Sequence, residues 1–483
     1  MLALLVFTAL LLAAALLVWR RPLLALELWI VGLALHNAVM AALFAAGVRG
    51  GALTAIQAWK EILLAVALAR VGSEAARRRA LPFRPALVDA LALAFALLVL
   101  VYAVVPQDVL DGGAGTKAVL YGLRHDLVPV AAYLLGRSLV ADGAALRRLG
   151  WLVVATAGMV AAVGILDDYL VPISWWRDSA VPRYFHDQLG FAYRGTGNAA
   201  PAPALPENFI FNLGTDSHFL RRLVSVFLSP LAASFTLLVG LLAVASGFAG
   251  KRLAWAVGAV GYAALLLTYT RSALLVLPVA LLLLAYLQGR RKLVGLAALA
   301  LVAALAWTHA YPHVAPTGHW TKADLVRQHA EAAKARTTGS QTGAASCGGE
   351  SSFCSHWHSL EGGARTVLHH PQGFGLGNAG ATAARNGVAL QAGESTYTEI
   401  GVETGLLGGV LWLAWGLVLL VALARAACAS AQEWRWFPAV VTAALSAVLA
   451  LALQTDVIGD PWLAYVLWAC AGLALTRGAT VQS

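Results

Sequence analysis

Long apolar runs, each near the length of one hydrocarbon crossing, alternate along this chain with short basic junctions. They fall at about 2–19, 23–47, 51–69, 85–105, 118–136, 150–171, 223–247, 253–270, 272–288, 293–310, 397–423, 437–456 and 461–476. A crossing needs roughly 20 apolar residues wound as helix, because the bilayer core offers no water to backbone N–H and C=O groups. The pattern predicts an all-α, polytopic helical membrane protein with about 12–13 transmembrane helices. Its shortest junctions are Arg49 among glycines, between the second and third runs, and Arg271 alone, between the eighth and ninth.

Arg20-Arg21, Arg70 with Arg77-Arg78-Arg79, Arg147-Arg148, Lys251-Arg252, Arg290-Arg291-Lys292, and Arg425 with Arg435 recur at alternate junctions. Lysine and arginine in short loops are retained on the cytoplasmic side, so these junctions mark one face, and the two long polar stretches lie on the other. The expected division is 1–171, N-terminal helices; 172–222, first external loop; 223–310, central helices; 311–396, second external loop; and 397–483, C-terminal helices. The first run passes into Val18-Trp19-Arg20-Arg21 without a small-residue cleavage pattern and reads as a permanent span. Residues 320–336 have the spacing of an amphipathic surface helix.

Composition narrows the class. Of 483 residues 60% are hydrophobic and only 12% charged, against about 25% charged in a soluble domain. Too few charges remain to cover a soluble fold of this size. Disordered, collagen-like, coiled-coil and nucleic-acid-binding proteins are excluded by the same figures. The formal net charge of +10 is then largely a matter of topology.

Cys428 and Cys470 lie in or beside apolar runs and read as small core residues. Cys347 and Cys354 stand in Cys-Gly-Gly-Glu-Ser-Ser-Phe-Cys on the external side, where a disulfide would persist. His356 and His358 follow closely and make a metal the rival reading. Lys60 and Glu61 are adjacent inside a span; successive helical residues point about 100° apart, so each is expected to pair with another helix. Asp167-Asp168, ending the sixth run, and Arg124 with Asp126, opening the fifth, are expected at a solvated interface.

Three external groupings carry candidate chemistry. Arg221-Arg222 stand at the start of the seventh run and Arg271 between two very apolar ones. A guanidinium presents a planar fork of donors that matches phosphate and stays charged, so arginines at this depth suit a lipid-linked phosphate or pyrophosphate; the alternative is contact with lipid headgroups. His369-His370-Pro371-Gln372-Gly373-Phe374-Gly375-Leu376-Gly377-Asn378 is a glycine-rich turn with no strand before it, hence a weak phosphate signal. Glu394 stands at the outer mouth of the bundle, where desolvation suits a carboxylate to general-base work; a structural role is the alternative.

In this order these pieces resemble the bacterial O-antigen ligase and O-antigen polymerase superfamily of integral membrane glycosyltransferases. The first arginine motif is matched by Arg222, Ser225, Phe227 and Pro230, and the second by Thr270 and Arg271, with Thr where Ser is usual. The His-Pro and glycine turn is matched by His370, Pro371, Gly373, Gly375 and Gly377, and the last motif by Tyr397, Glu403, Gly405, Leu406 and Gly408. Where family ligases carry His-Asn, this chain has Glu394-Ser395, which favours the polymerase branch.

The resemblance implies transfer of a glycan from an undecaprenyl-pyrophosphate-linked oligosaccharide donor to a glycan acceptor, at the periplasmic side of the bacterial inner membrane. Arg222 and Arg271 would stabilise the pyrophosphate and Glu394 would take the acceptor proton, with inversion. Arg221, His370 and Tyr397 would contact substrate, and Tyr184, Trp175, Trp176 and Trp320 would stack on sugars. A chain-length regulator is an expected partner, besides the lipid bilayer. No Asp-x-Asp motif and no His/carboxylate cluster with ligand spacing is visible, so neither metal nor cofactor is expected. A ligase acting on lipid A core or protein is the alternative within the class. A lipid-linked oligosaccharide flippase is the alternative outside it, disfavoured by the long external stretches.

Overall fold

The computed structural model describes residues 2–191, 205, 209–212, 218–250, 252–320, 322, 325–326, 351–389 and 391–477. Helix occupies each of the thirteen apolar runs. In chain order these are α1 (Leu2–Arg20), α2 (Leu23–Ala45), α3 (Gly50–Gln57), α4 (Trp59–Arg78), α5 (Leu87–Val104), α6 (Thr116–Ser138) and α7 (Gly143–Leu170). After short α8 (Ile173–Asp178) and α9 (Val181–Arg183) come α10 (Pro230–Ala245), α11 (Arg252–Leu267), α12 (Arg271–Gln288) and α13 (Lys292–Val314). Helices α14 (Ser351–His369), α15 (Gly380–Arg385), α16 (Thr396–Ala429), α17 (Trp436–Leu451) and α18 (Trp468–Arg477) complete the chain. Six helices, α2, α5, α7, α12, α13 and α16, are long and apolar enough to cross a membrane, or seven if the bent pair α3–α4 is one span. The chain is thus a multi-pass helical membrane protein.

Small residues bring the helices together where side chains would hold them apart. A Cβ at Gly136 of α6 would fall on the Ala469 carbonyl, and one at Gly472 of α18 on the Tyr133 carbonyl, so these two backbones touch. Around them Trp29, Trp412, Trp415, Trp462 and Trp468 are fully buried. Asp89 and Arg137 form a two-pronged buried pair, with bonds of 2.9 and 3.1 Å, and Tyr133 donates to Asp89 at 2.6 Å.

Two expectations about charge are corrected, and a third is met in part. Glu61 meets Arg124 of α6 at 2.6 Å, the expected pairing with another helix. Lys60 instead pairs with Glu61 at 3.5 Å, because the 40° bend between α3 and α4 frees the Gln57 carbonyl and Lys60 reaches back to it at 2.7 Å. Asp167 and Asp168 are buried rather than solvated, and both face Arg221. Asp126 is likewise buried, against the adjacent His125.

The two long polar stretches meet at one end of the bundle. Strands β1 (Ile210–Asn212) and β2 (His218–Arg221) come from the first and β3 (Thr317–His319) from the second, in an antiparallel order β1-β2-β3. Ile210 pairs with Arg221, and Phe219 with Gly318. Beneath the sheet an apolar cluster including Met40, Phe44, Ile56, Tyr184, Phe209 and Trp320 ties it to α2 and α3. The expected Cys347–Cys354 disulfide and most of the 320–336 surface helix lie outside the described residues.

Candidate functional site

Adjacent arginines take opposite parts at the end of β2. Arg221 is 5% exposed and reaches Asp167 at 3.1 Å, Asp168 at 3.2 Å and the Val171 carbonyl. Its donors are taken up inside the protein, which corrects the expectation that it binds substrate. Arg222, one residue on, is half-buried, with Nε donating to the Thr268 carbonyl at 2.9 Å and Nη2 to Thr270 Oγ1 at 3.1 Å. The rest of its motif is scaffold: Ser225 Oγ donates to the Val160 carbonyl at 2.7 Å, Phe227 is core, and Pro230 opens α10 behind the Ser229 cap.

Thr270 precedes α12, so Arg271 begins that helix. The free amides of a helix start already carry partial positive charge, and a cation there is unfavourable unless an anion joins it. Arg271 lies over the Phe211 and Tyr269 rings, 5.4 and 5.8 Å from their centroids. Tyr269 takes a left-handed φ of 47° and stacks on Tyr311 at 4.1 Å. Burial, together with Arg271, pulls the Arg222 guanidinium down to about 10. Arg222 remains charged at neutral pH, and an anion shared between it and Arg271 relieves their repulsion.

Glu394 is exposed and accepts from His356 Nδ1 of α14 at 2.9 Å. Gly393 permits this approach, since a Cβ there would strike Ser359 Oγ on the same helix. The hydrogen bond to Glu394 raises the His356 imidazole above its ordinary value against the effect of burial, while Arg271 opposes protonation. Arg271 is therefore an electrostatic neighbour of this pair as well as of Arg222. An imidazole from another helix thus stands beside Glu394. Beside it Trp357 presents a largely exposed indole.

The glycine-rich turn has a different task from phosphate binding. Helix α16 breaks at Gly405, whose φ and ψ are 71° and −178°. The turn fills the break: Phe374 N–H donates to the Val402 carbonyl at 2.7 Å, Gly375 N–H to Glu403 at 3.0 Å, and Leu406 N–H to Pro371 at 2.8 Å. Gly373 and Gly377 sit at left-handed φ where a Cβ would meet the Gly405 amide and the Ala118 backbone. His370 stacks on Phe374 at 3.9 Å and contacts the Leu110 carbonyl at 3.2 Å, so it belongs to this packing rather than to a substrate site.

Below the turn lies a cluster that no local spacing announces. His125 Nδ1 is 2.8 Å from Asp126 Oδ1, and its Nε2 is 3.1 Å from both oxygens of Asp456. Ligand atoms of His125, Glu399 and Asp456 all lie within 4.8 Å of one another. Ser395, Thr396 and Tyr397 fix the start of α16 to the end of α17, by bonds to the Ala452, Thr455 and Leu449 carbonyls at 3.0, 3.2 and 3.0 Å. This brings Glu399 to Asp456. The ground for expecting no metal, absence of a His/carboxylate cluster, is corrected by folding.

Arg222, Arg271, Glu394 and the unforeseen His356 are thus brought to one end of the bundle, whereas several expected substrate contacts are not available there. Tyr184 is fully buried and its hydroxyl accepts from Gln57 at 3.2 Å. Trp320 is buried against Phe219 at 4.7 Å, and the Tyr397 hydroxyl donates inside the bundle. Trp176 donates to Asp167 at 2.9 Å, leaving Trp175 as the exposed ring of that pair. No family model and no curated protein matches this chain.

Proposed function

We propose that this protein is an inverting membrane glycosyltransferase that polymerises undecaprenyl-pyrophosphate-linked oligosaccharide repeat units at the periplasmic face of the bacterial inner membrane. In this reading thirteen spans cross the bilayer, and segments 172–222 and 311–396 form the periplasmic cap. The observation that carries it is the grouping of Arg222 and Arg271 with the His356–Glu394 pair, cations beside a base. The acceptor hydroxyl loses its proton to Glu394, with His356 holding the carboxylate in position. Its oxygen then bonds to the anomeric carbon as the bond from that carbon to the phosphate oxygen breaks. Charge appearing on the departing pyrophosphate is stabilised by guanidiniums already in place, which is where fixed electrostatics contribute most. Trp175 and Trp357 are the exposed rings suited to hold sugars.

Transfer of a finished glycan to lipid A core or protein is the second reading, and His356 favours it by returning an imidazole to the site. Deleting the gene and separating cellular glycans by size and by anchor tests both. Single repeat units with long chains absent support polymerisation. Long chains stranded on the carrier lipid with bare acceptors support ligation. Repeat units accumulating on the cytoplasmic leaflet, with no change in either external pool, overturn glycosyl transfer in favour of transport.

A further inference from the structure

Four carboxylates, Asp126, Glu399, Glu403 and Asp456, surround a single imidazole, His125, at the same end of the bundle. Glu399 and Glu403 lie on one face of α16, His125 and Asp126 on α6, and Asp456 in the turn after α17. Asp126, Glu399 and Glu403 are each no more than 5% exposed, and His125 and Asp456 keep side-chain exposures of 14% and 15%. Carboxylates packed together in a low-dielectric interior are stabilised by a cation, and the positive groups facing this cluster are His125 and, toward Asp456, Arg385.

Two further observations point to an additional cation. Asp126 Oδ2 and Glu403 Oε2 are buried without a hydrogen-bond partner, Asp126 and Glu403 are charged neighbours, and the Gly377 and Ala379 amides lie against the Glu403 carboxylate. The His125 ring is also set as a metal ligand is set. Its Nδ1 is held by Asp126 at 2.8 Å, which leaves Nε2 turned to the Asp456 carboxylate, equidistant from its two oxygens at 3.1 Å. Both contacts are at hydrogen-bond distance, and neighbouring ligands around an ion of about 2.1 Å bond length also stand about 3 Å apart. A carboxylate gripping the far nitrogen of a ligating histidine is the usual supporting contact. Glycine makes room around the acids: a Cβ at Gly380 would fall on the Glu399 carboxylate, and one at Gly122 would lie 3.1 Å from Glu403 Oε2.

We propose that His125 Nε2, Glu399 and Asp456 bind a first-row divalent cation, with Asp126 orienting the histidine and Glu403 balancing charge. One imidazole with carboxylates suits Zn²⁺ or Mn²⁺ better than Ca²⁺. The ion pins α6, the first turn of α16 and the turn after α17 to each other.

The full-length protein, purified in detergent without a polyhistidine tag and stripped with chelator, is titrated with Zn²⁺ and with Mn²⁺ alone. Bound metal is measured by elemental analysis and the unfolding midpoint by intrinsic fluorescence. One equivalent of either ion and a raised midpoint are expected. His125→Ala and Asp456→Asn should remove stoichiometric binding, Asp126→Asn should weaken it roughly 10–100-fold, and Glu394→Gln should leave it unchanged. No stoichiometric uptake and no midpoint shift with either ion in the unsubstituted protein overturns the proposal, as does undiminished uptake in the His125 and Asp456 variants. Because the readout is metal content, it is independent of any transferase activity.

Discussion

Two histidine–carboxylate pairs stand at the same end of this bundle and share little else. His356–Glu394 is open, with Glu394 exposed and the Arg271 guanidinium among its electrostatic neighbours. His125–Asp126 lies mostly buried beneath a glycine turn and is ringed by acids. One environment is cationic and leaves a carboxylate accessible; the other is acidic and largely closed to solvent. The same pair of side chains therefore has its chemistry set by the sign of what surrounds it.

The sharpest break of this comparison removes the cations from the open pair. Arg222→Ala or Arg271→Ala should lower glycan chain growth by roughly 10²–10³-fold or more, the scale of losing a fixed donor to developing charge, with membrane abundance unchanged. Arg→Lys keeps the charge but loses the fork and should recover only part of the activity. Normal polymer length on gels of extracted glycan from both alanine variants would remove the pyrophosphate role.

Next comes the base. Glu394→Gln should cost about 10²-fold, the lower end of the general-base range, because His356 remains beside it. Glu394 favours the protonated imidazole, so its removal lets the His356 value fall toward the ordinary one. Where His356 takes over as base, the rising limb of the pH–rate profile should move to higher pH in Glu394→Gln, because an imidazole gives up its proton at higher pH than a carboxylate. An unmoved limb with undiminished rate would show that the base is elsewhere.

Smaller effects fall on stability. Arg221→Ala leaves Asp167 and Asp168 without their cation, and removing one partner of a buried ion pair costs about 3–5 kcal/mol. A lowered unfolding midpoint with preserved activity per folded molecule would separate Arg221 from Arg222. Gly405→Ala forces a side chain to a left-handed φ against the Pro371 carbonyl, at a cost of about 1–3 kcal/mol, measurable in the same way.

The helices were legible because membrane insertion is decided by local apolarity, which sequence displays directly. Arg222 and Arg271 were visible for the same reason: a charge beside an apolar run stands out. Arg221 and Arg222 could not be told apart, since only the strand register at Ile210 assigns one to the interior. Lys60 was misread because a bend at the start of α4 was invisible in a uniformly apolar stretch. His356 was noticed only as a rival ligand near two cysteines, and its partner lies 38 positions further on. The acid cluster draws from positions 125, 126, 399, 403 and 456, and no spacing rule spans such separations.

The break at Gly405 carries a consequence for how the molecule assembles. Carbonyls at Val402 and Glu403 that lose their helical partners cannot remain bare in lipid, where each unsatisfied group costs several kcal/mol. They are answered by the turn at 371–375, which precedes α16 in the chain. Before the turn docks, an unbroken helix would satisfy these groups; afterwards the turn does. Docking of the turn and interruption of the helix are thus one event, and the geometry that holds Glu399 and Glu403 exists only once the polar segment before them has folded back into the bundle.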